Sequence, residues 1–372
     1  QGALGANTFA PDTVQVTRNS DRVLVPETGV DVVNVDQNTR FDQIQPAVDA
    51  ANPGDTIEVK SGTYDESVTI DVEGLTLEGP NAGIDGNSDQ RGDEAVITSG
   101  LSITANGVTT DGLQVENADT NGIRFGPDTV PSNVTIQNSV VTNVAGGTFQ
   151  RGGDPAGAGN GIQFQFNNGQ PEGETAQNIQ ILDNEISNIS TPNATARTTA
   201  IGINVLPRGN DIDLEIRGNA LTGIKAGNSS GDERARAITV DTQDDPTNGS
   251  GRVDGVVISN NTFDGITAAD QVWTVALFED SGLDPREGVE NFSITRNEFD
   301  NLSAPDAVRG PVAVFVGGYE TLGSAHKVTG NTINSGSVFR FAENQSGFDP
   351  ATADALNADG NTFTDANADL YY

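Results

Sequence analysis

The chain has 372 residues, with 53 acidic against 19 basic side chains and a formal net charge of −34. That balance excludes nucleic acid and anionic membrane surfaces as partners, because both kinds of recognition begin with Lys and Arg neutralising phosphate. There is no cysteine, which removes disulfides and thiolate metal or redox sites, and no stretch nears the roughly 18 apolar residues of a membrane span.

Lys60, Lys225 and Lys327 are the only lysines. An acidic, lysine-poor, weakly hydrophobic chain is suited to near-saturated salt, where a Debye length of about 3 Å or less screens carboxylate repulsion. The source is therefore read as a halophile. High net charge with 5 % aromatic residues also describes disorder, but short Val-, Ile- and Phe-rich runs with period-two alternation argue for a packed β protein. The chain starts at Gln1 and contains no methionine. It is expected to be a processed product, secreted after removal of a signal peptide and located outside the cell.

Residues 1–35 contain the runs TVQVT and RVLVP, which alternate like strands and match nothing in the repeats that follow. They are expected to form an extended arm. It either lies along the flank of its own chain or adds as a strand to a neighbouring subunit, with Val14, Val16, Val23 and Val25 setting the register. Residues 36–372 read as one domain. Near its start, Asp42 is placed to cap a helix with Gln45 three residues on, and Phe41, Ile44, Val48 and Ala51 line one face. Asn52-Pro53-Gly54 stops that helix, and TIEVK and SVTI supply the first strands.

The run DGNSDQRGDE then sets Asp85, Asn87, Asp89 and Asp93 in the order of a calcium loop. The turn glycine comes two places late, at Gly92, and Val96 stands where the closing carboxylate is needed. These four residues are the candidate calcium ligands. Arg91-Gly92-Asp93 is an adhesion tripeptide by its letters only.

From residue 133 a motif of the form N-x-x-I-x-x-N-x-x-x-x-[NDG] recurs as NVTIQNSVVTNV, NIQILDNEISNI, DLEIRGNALTGI, GVVISNNTFDGI, NFSITRNEFDNL and the shorter HKVTGNTINSG. Between copies lie further strand-like runs such as GIQFQF, AIGINVL and TVALFED. The period of roughly 35 to 45 residues, with at least three strands in each, is that of a solenoid with variable loops. The second Asn of each copy (Asn184, Asn219, Asn261, Asn297, Asn331, and Asn138 one place early) falls at a corner where a left-handed backbone is expected. Stacked copies would join these amides in a ladder. About nine or ten coils, each about 4.8 Å from the next, would make a rod of about 45 Å.

These repeats resemble those of right-handed parallel β-helices of the pectin lyase-like superfamily, and residues 42–59 resemble its opening segment, in which an amphipathic helix caps the first coil. The resemblance covers about residues 36–366. It implies an all-β, right-handed parallel β-helix with an N-terminal capping helix. It does not imply one activity, because the scaffold carries lyases, hydrolases, esterases, viral spikes and inert surface proteins.

The polysaccharide hydrolases of that superfamily use paired aspartates, a Gly-His-Gly segment and an Arg-x-Lys segment. Asp244-Asp245 echoes only the first, and the sole histidine, His326, begins a strand run. A lyase needs a neutral Arg or Lys as base, and the three lysines fall in unrelated repeats. Gly157 to Gly161 leads into a strand with no helix after it, so it is read as a flexible loop and not a phosphate cradle. The sequon N-x-[ST] occurs at Asn133, Asn188, Asn193, Asn228, Asn248, Asn260, Asn291, Asn301 and Asn344. These are candidate glycosylation sites, with the loop positions Asn193, Asn228 and Asn248 ahead of the strand-adjacent ones.

No catalytic residue is assigned and no cofactor beyond calcium is implied. The leading expectation is a non-catalytic, extracellular homopolymer, a cell-surface filament or surface-layer subunit, with Tyr371 and Tyr372 at a head-to-tail contact. A secreted polysaccharide lyase or hydrolase with a glycan ligand, and a viral spike, are the alternatives. The charge itself gives a first prediction: dialysis from molar to millimolar salt should lower the melting temperature or loosen the fold. Unchanged circular dichroism and melting across that range would refute the halophilic reading.

Overall fold

The computed structural model describes residues 13–18, 21–26, 31–125, 129–151, 154–165, 175–193, 197–206, 211–228, 232–241, 252–278, 288–307, 310–317, 327–334, 338–341 and 360–364. From residue 31 on, the strands form three sheets of thirteen, ten and ten members, termed sheets I, II and III. The chain visits them in rotation, so sheet neighbours lie one coil apart in sequence. Thr56–Val59, Thr76–Glu78, Thr109–Asp111 and Val134–Gln137, for instance, lie side by side and parallel in sheet I. Three parallel sheets wound this way are consistent with a right-handed β-helix.

The core follows from strand alternation. Ile136, Ile181, Ile216, Ile258 and Ile294 occupy equivalent rungs of sheet I and are all fully buried. Each contributes about 2 kcal/mol of apolar transfer. Aromatic rings stack between coils in the same way, Phe125 on Phe164 at 3.7 Å and Phe263 on Phe299 at 4.9 Å.

Sheets I and II meet at a corner of two residues. The first is left-handed: Asn138, Asp183, Asn260 and Arg296 have φ between 51° and 55°, and Gly112, Gly218, Gly330 and Gly360 fill the other coils. The second is the repeat asparagine, so the left-handed conformation expected of it belongs to the residue before it. Asn184, Asn219, Asn261, Asn297 and Asn331 are at most 1 % exposed and form the ladder. Asn219 Nδ2 donates to Asn261 Oδ1 at 3.0 Å and to the Ile181 carbonyl at 2.9 Å, while its backbone N–H donates to the same Oδ1 at 2.9 Å. The pattern repeats to Asn361. At the other end the rung is Ser139, whose N–H donates to Asn184 Oδ1 at 2.9 Å; Asn138 is a corner residue that donates to Asp111 at 2.8 Å.

The N-terminal end departs from expectation. Strands β1 (Thr13–Arg18) and β2 (Asp21–Pro26) pair with each other in a separate antiparallel sheet, Val14 opposite Val25 and Val16 opposite Val23. The boundary drawn at residue 35 also moves. β3 (Val32–Asn34) pairs antiparallel with both β4 (Thr39–Phe41) and β5 (Thr56–Val59), and Val32 is fully buried.

The expected capping helix is not seen as such, because β3 takes up the free edge of β5. The only helix among the described residues is α1 (Ile44–Asp49), six residues long, with Ile44, Ala47 and Val48 buried. Its N-cap is Gln43 and not Asp42. The orphan N–H groups of Ile44 and Gln45 donate instead to the two carboxylate oxygens of Glu66 in the next turn of the chain, at 2.8 and 3.0 Å. The Gly157–Gly161 run is likewise no loop: it lies inside the twelve-residue strand Asp154–Gln165.

Asn261→Ala should cost about 3 kcal/mol, because it leaves the Asn219 donors and the Ile216 carbonyl without their partner in a dry interior. Asn260→Gly, one residue away in a left-handed corner, should be near neutral. Chemical denaturation of both variants in molar salt checks the contrast.

Candidate ligand-binding face

Carboxylates are unevenly spread over the three outer faces. On sheet I, Glu58, Glu78 and Asp111 stand directly opposite one another on successive coils. On sheet II, Asp264 faces Asp300, and Glu185, Asn87 and Asn301 share with them an open groove of about 520 Å³. Burial, then Asp111 and Glu58, push the Glu78 carboxyl above its ordinary range.

Sheet III differs. One column on the side away from the core runs Thr69, Ser102, Arg124, Gln163, Asn204, Thr239, Ala276, Phe315, each in register with the next; Thr69, Ser102 and Arg124 are partly exposed, and the members from Gln163 to Phe315 are buried. A second holds Asn121, Asn160, Ile201 and Arg236, with Trp273 on the following strand. Neither column contains a carboxylate. Between this second column and the core, the strands bend at glycines. A Cβ on Gly161 would lie 2.7 Å from both the Gly202 carbonyl and Ile186 Cγ2, so the bend needs a residue without a side chain.

The groups on this face are joined to each other. Asn204 Nδ2 donates to Asn160 Oδ1 at 3.1 Å, and Asn160 Nδ2 donates to Asn121 Oδ1 at 2.9 Å. Toward the C-terminal coils, Trp273 and Phe315 stack at 3.9 Å with their planes 8° apart, and the Arg236 guanidinium lies 5.2 Å from the Trp273 ring centre. Arg236 Nη2 also donates to Gln271 Oε1 at 3.3 Å. Burial first, then the neighbouring Arg234 charge, lower the Arg236 pKa to about 10, so it stays protonated at neutral pH. Asn160, Asn204 and Arg236 are buried, so the groups of this set open to a polar ligand are the partly exposed Asn121, for hydrogen bonds, and Trp273, for stacking.

The residues singled out in the sequence lie elsewhere. Asp85, Asn87, Asp89 and Asp93 sit in the loop before Ala95–Ile97, but the cation that organises this loop is Arg91. Its Nη1 donates to the carbonyls of Ile84 at 2.8 Å and Asn138 at 2.6 Å, and its Nε and Nη2 reach both oxygens of Glu94 at 2.7 and 2.9 Å. Among the described residues no group of three or more His, Cys, Asp or Glu side chains is placed to hold a metal.

Seven sequon asparagines, Asn133, Asn188, Asn193, Asn228, Asn260, Asn291 and Asn301, are exposed. Five of them, Asn133, Asn188, Asn260, Asn291 and Asn301, occupy left-handed corners, which accounts for their recurrence without reference to glycans. Asn248, Asn344, Asp244, Asp245, His326, Tyr371 and Tyr372 lie outside the described residues. Lys60 follows β5, Lys225 bridges Ser190 and Thr267 on one flank, and Lys327 begins a strand of sheet I; the three are not brought together.

No protein-family model and no curated protein sequence matches this chain. Solved structures do resemble it in architecture. An alginate lyase from Paenibacillus sp. str. FPU-7 aligns over 88 % of this chain and 94 % of its own, at 17 % identity and a TM-score of 0.47. A pectin methylesterase from Aspergillus niger aligns over 92 % of each chain at 13 % identity and a TM-score of 0.34. A mannuronic acid specific polysaccharide family 6 lyase from human gut microbiota covers 80 % of this chain and 85 % of its own at 12 % identity, TM-score 0.24. Likenesses at this level transfer neither a family nor a site residue.

No motif points to Arg124, Arg236, Trp273 or Phe315. The one usable signal is that Trp273 is the only tryptophan in the chain and lies beside a strand run.

The charge pattern yields its own prediction. Glu78 holds its proton more tightly folded than unfolded, so it favours the fold below its unfolded pKa, and that contribution is lost as pH rises through the raised value. Glu78→Gln should therefore raise stability at pH 7 by up to about 1 kcal/mol in dilute buffer, less in molar salt, with the gap closing below about pH 5. Thermal melts across pH and salt measure it.

Proposed function

We propose that the protein is a secreted, polysaccharide-binding β-helix whose ligand lies along the outer face of sheet III. The observation that carries this reading is the contrast of charge: in a chain of net charge −34, these two columns of the sheet hold arginines, amides, hydroxyls and stacked aromatics, largely buried, and their nearest carboxylate along the strand is Asp241, two residues past Thr239. The eight rungs from Thr69 to Phe315 span about 34 Å at the spacing of neighbouring strands, an extended track suited to a polymer. Amides and hydroxyls at fixed spacing meet sugar hydroxyls, and Trp273 offers a flat face to a sugar ring.

Binding without turnover is the version the described residues favour. An elimination base must be neutral, and with a pKa of about 10 Arg236 is neutral in about one molecule in a thousand at pH 7. The lyase or hydrolase alternative rests on other residues, Asp244-Asp245 among them. The reading as a self-assembling surface filament keeps one supporting observation, the β1–β2 hairpin standing as its own sheet, since an isolated two-stranded hairpin is marginally stable in water and gains from a partner.

Affinity electrophoresis of the full chain in molar salt against alginate, polygalacturonate and a neutral glucan tests the proposal. At least one polymer should retard the protein, and Trp273→Ala should weaken that binding tenfold or more with unchanged circular dichroism. Parallel assays for reducing ends and for unsaturated uronate products should stay at background. If no polymer binds, or if the variant binds as the wild type does, sheet III is not the ligand face. A wild-type protein that forms filaments, and loses them on removal of residues 1–30, would favour the structural reading.

A further inference from the structure

We infer that the corner between sheets I and II carries a docking track for an extended, arginine-bearing peptide of a partner protein, and the chain's own residues 80–94 show how such a peptide lies. This stretch joins Thr76–Glu78 to Ala95–Ile97 and runs as a strap over the outside of the coils that follow. Gly83 N–H donates to Asp111 Oδ1 at 2.9 Å, Arg91 Nη1 to the Asn138 carbonyl at 2.6 Å, and Gly86 N–H to the Asp183 carbonyl at 2.8 Å. The strap lies close: a Cβ on Gly86 would be 2.3 Å from the Glu185 nitrogen and 2.5 Å from the Ser139 carbonyl oxygen. Asn138 and Asp183 are left-handed corner residues, and their carbonyls face outward to meet the strap's donors.

Beyond the strap the same row continues. Gly218, Asn260 and Arg296 hold the corner position in the next coils, with φ of 72°, 55° and 55°, and their carbonyls accept no hydrogen bond among the described residues. Beside them lies the sheet II groove of about 520 Å³, with Asn87 of the strap at its edge and Glu185, Thr222, Asp264 and Asp300 along it. Asp264 and Asp300 each accept one amide, from Asn301 at 2.6 Å and from Asn334 at 3.4 Å, which leaves further lone pairs for a ligand. Arg296, itself exposed and cationic, marks the far end of the track.

Carbonyls and carboxylates only accept, so the track selects a ligand rich in donors and positive charge, and it opposes the anionic polymers considered for sheet III. The corner positions from Asp183 to Arg296 span about 14 Å at the spacing of neighbouring strands, the length of about four extended residues. The N–H groups of such a segment meet the carbonyls as Gly86 does. Arginine suits the track better than lysine. The Arg91 fork serves the Ile84 and Asn138 carbonyls from Nη1 and both oxygens of Glu94 from Nε and Nη2, a geometry that an ammonium cannot copy. The inference stands on a different face from the polysaccharide reading and does not depend on it.

Fluorescence anisotropy tests it on the full chain, at the lowest potassium chloride concentration that leaves circular dichroism unchanged. The probes are the labelled peptide amide Gly-Ser-Arg-Gly-Ser-Arg, its lysine analogue, an analogue with proline in place of both serines, and spermine as competitor. The arginine peptide should bind about tenfold or more tighter than either analogue or spermine. Asp264→Asn combined with Asp300→Asn should weaken it about tenfold or more, and Trp273→Ala should leave it unchanged. If the double variant does not fold, a benzophenone-bearing form of the arginine peptide, cross-linked to the wild type and mapped by mass spectrometry, replaces it and should attach within the groove around Thr222. Binding of the lysine analogue or spermine as tight as the arginine peptide, a response to general acidity only, would overturn the inference. So would no binding, full binding by the proline analogue or the double variant, loss of binding in Trp273→Ala, or attachment away from the groove.

Discussion

The structure depends on one constraint: every coil takes its main-chain hydrogen bonds from the coils before and after it. No coil can satisfy its own N–H and C=O groups, and none can bury its apolar column alone. Contacts therefore join residues about twenty to forty-five positions apart, as between Thr56 and Thr76, Asn184 and Asn219, or Thr135 and Gln180. The asparagine ladder carries this constraint through the corner, where the sheet hydrogen bonds cannot continue. Each carboxamide oxygen accepts two donors from the preceding coil, and each amide donates to a carbonyl one coil back, as Asn219 does to Ile181. A left-handed residue just before it turns the chain, and the work of bending and of bonding falls to two adjacent positions.

The same constraint governs the charge. Parallel stacking in register brings equivalent side chains to about 4.8 Å from each other, so a carboxylate repeated at one position of the coil becomes a column of like charges. In the column Glu58, Glu78 and Asp111, burial first and then the two flanking carboxylates raise the pKa of the middle member, and Asp111 shows the relief, accepting from Gln137, Asn138 and the Gly83 N–H at 2.7, 2.8 and 2.9 Å. Salt supplies the remaining screening. The two columns of sheet III from Thr69 to Phe315 and from Asn121 to Arg236 avoid the problem by carrying no carboxylate.

The repeat made the fold legible. The isoleucine at the fourth place of the five full copies and the asparagine at the seventh of four of them are both dictated by stacking, so they recur and can be seen; the strands between copies followed from their alternation. What could not be read depended on non-repeating context. The helix cap is Glu66 and not Asp42, because the orphan amides of α1 meet a carboxylate that arrives from the following turn of chain. β3 was assigned to an arm because its partner β5 runs antiparallel to it and outside the repeat. The glycines at 157, 159 and 161 suggested a loop, whereas close approach of the next coil is what requires them to be small. The proposed ligand face was invisible for the same reason: Arg124, Arg236 and Trp273 sit on different coils at positions where the other coils have Gln, Asn or Ile, so no motif links them.

A solenoid of this kind separates stability from recognition. Inward and corner positions are fixed by what the neighbouring coils need, while an outward residue on sheet III contacts only its column neighbours and whatever lies over them. Replacing Ser102 or Arg124, which are partly exposed, changes the surface one rung at a time, at intervals close to 4.8 Å, without touching the core columns of Ile103 and Ile123 beside them. The bend at Gly122, Gly161 and Gly202 adds a second column to the same strands, which is why amide, guanidinium and indole can meet between coils at Asn160–Asn204 and Arg236–Trp273. Recognition on such a face is written along the axis, coil by coil, and its specificity resides in which rungs depart from the repeat.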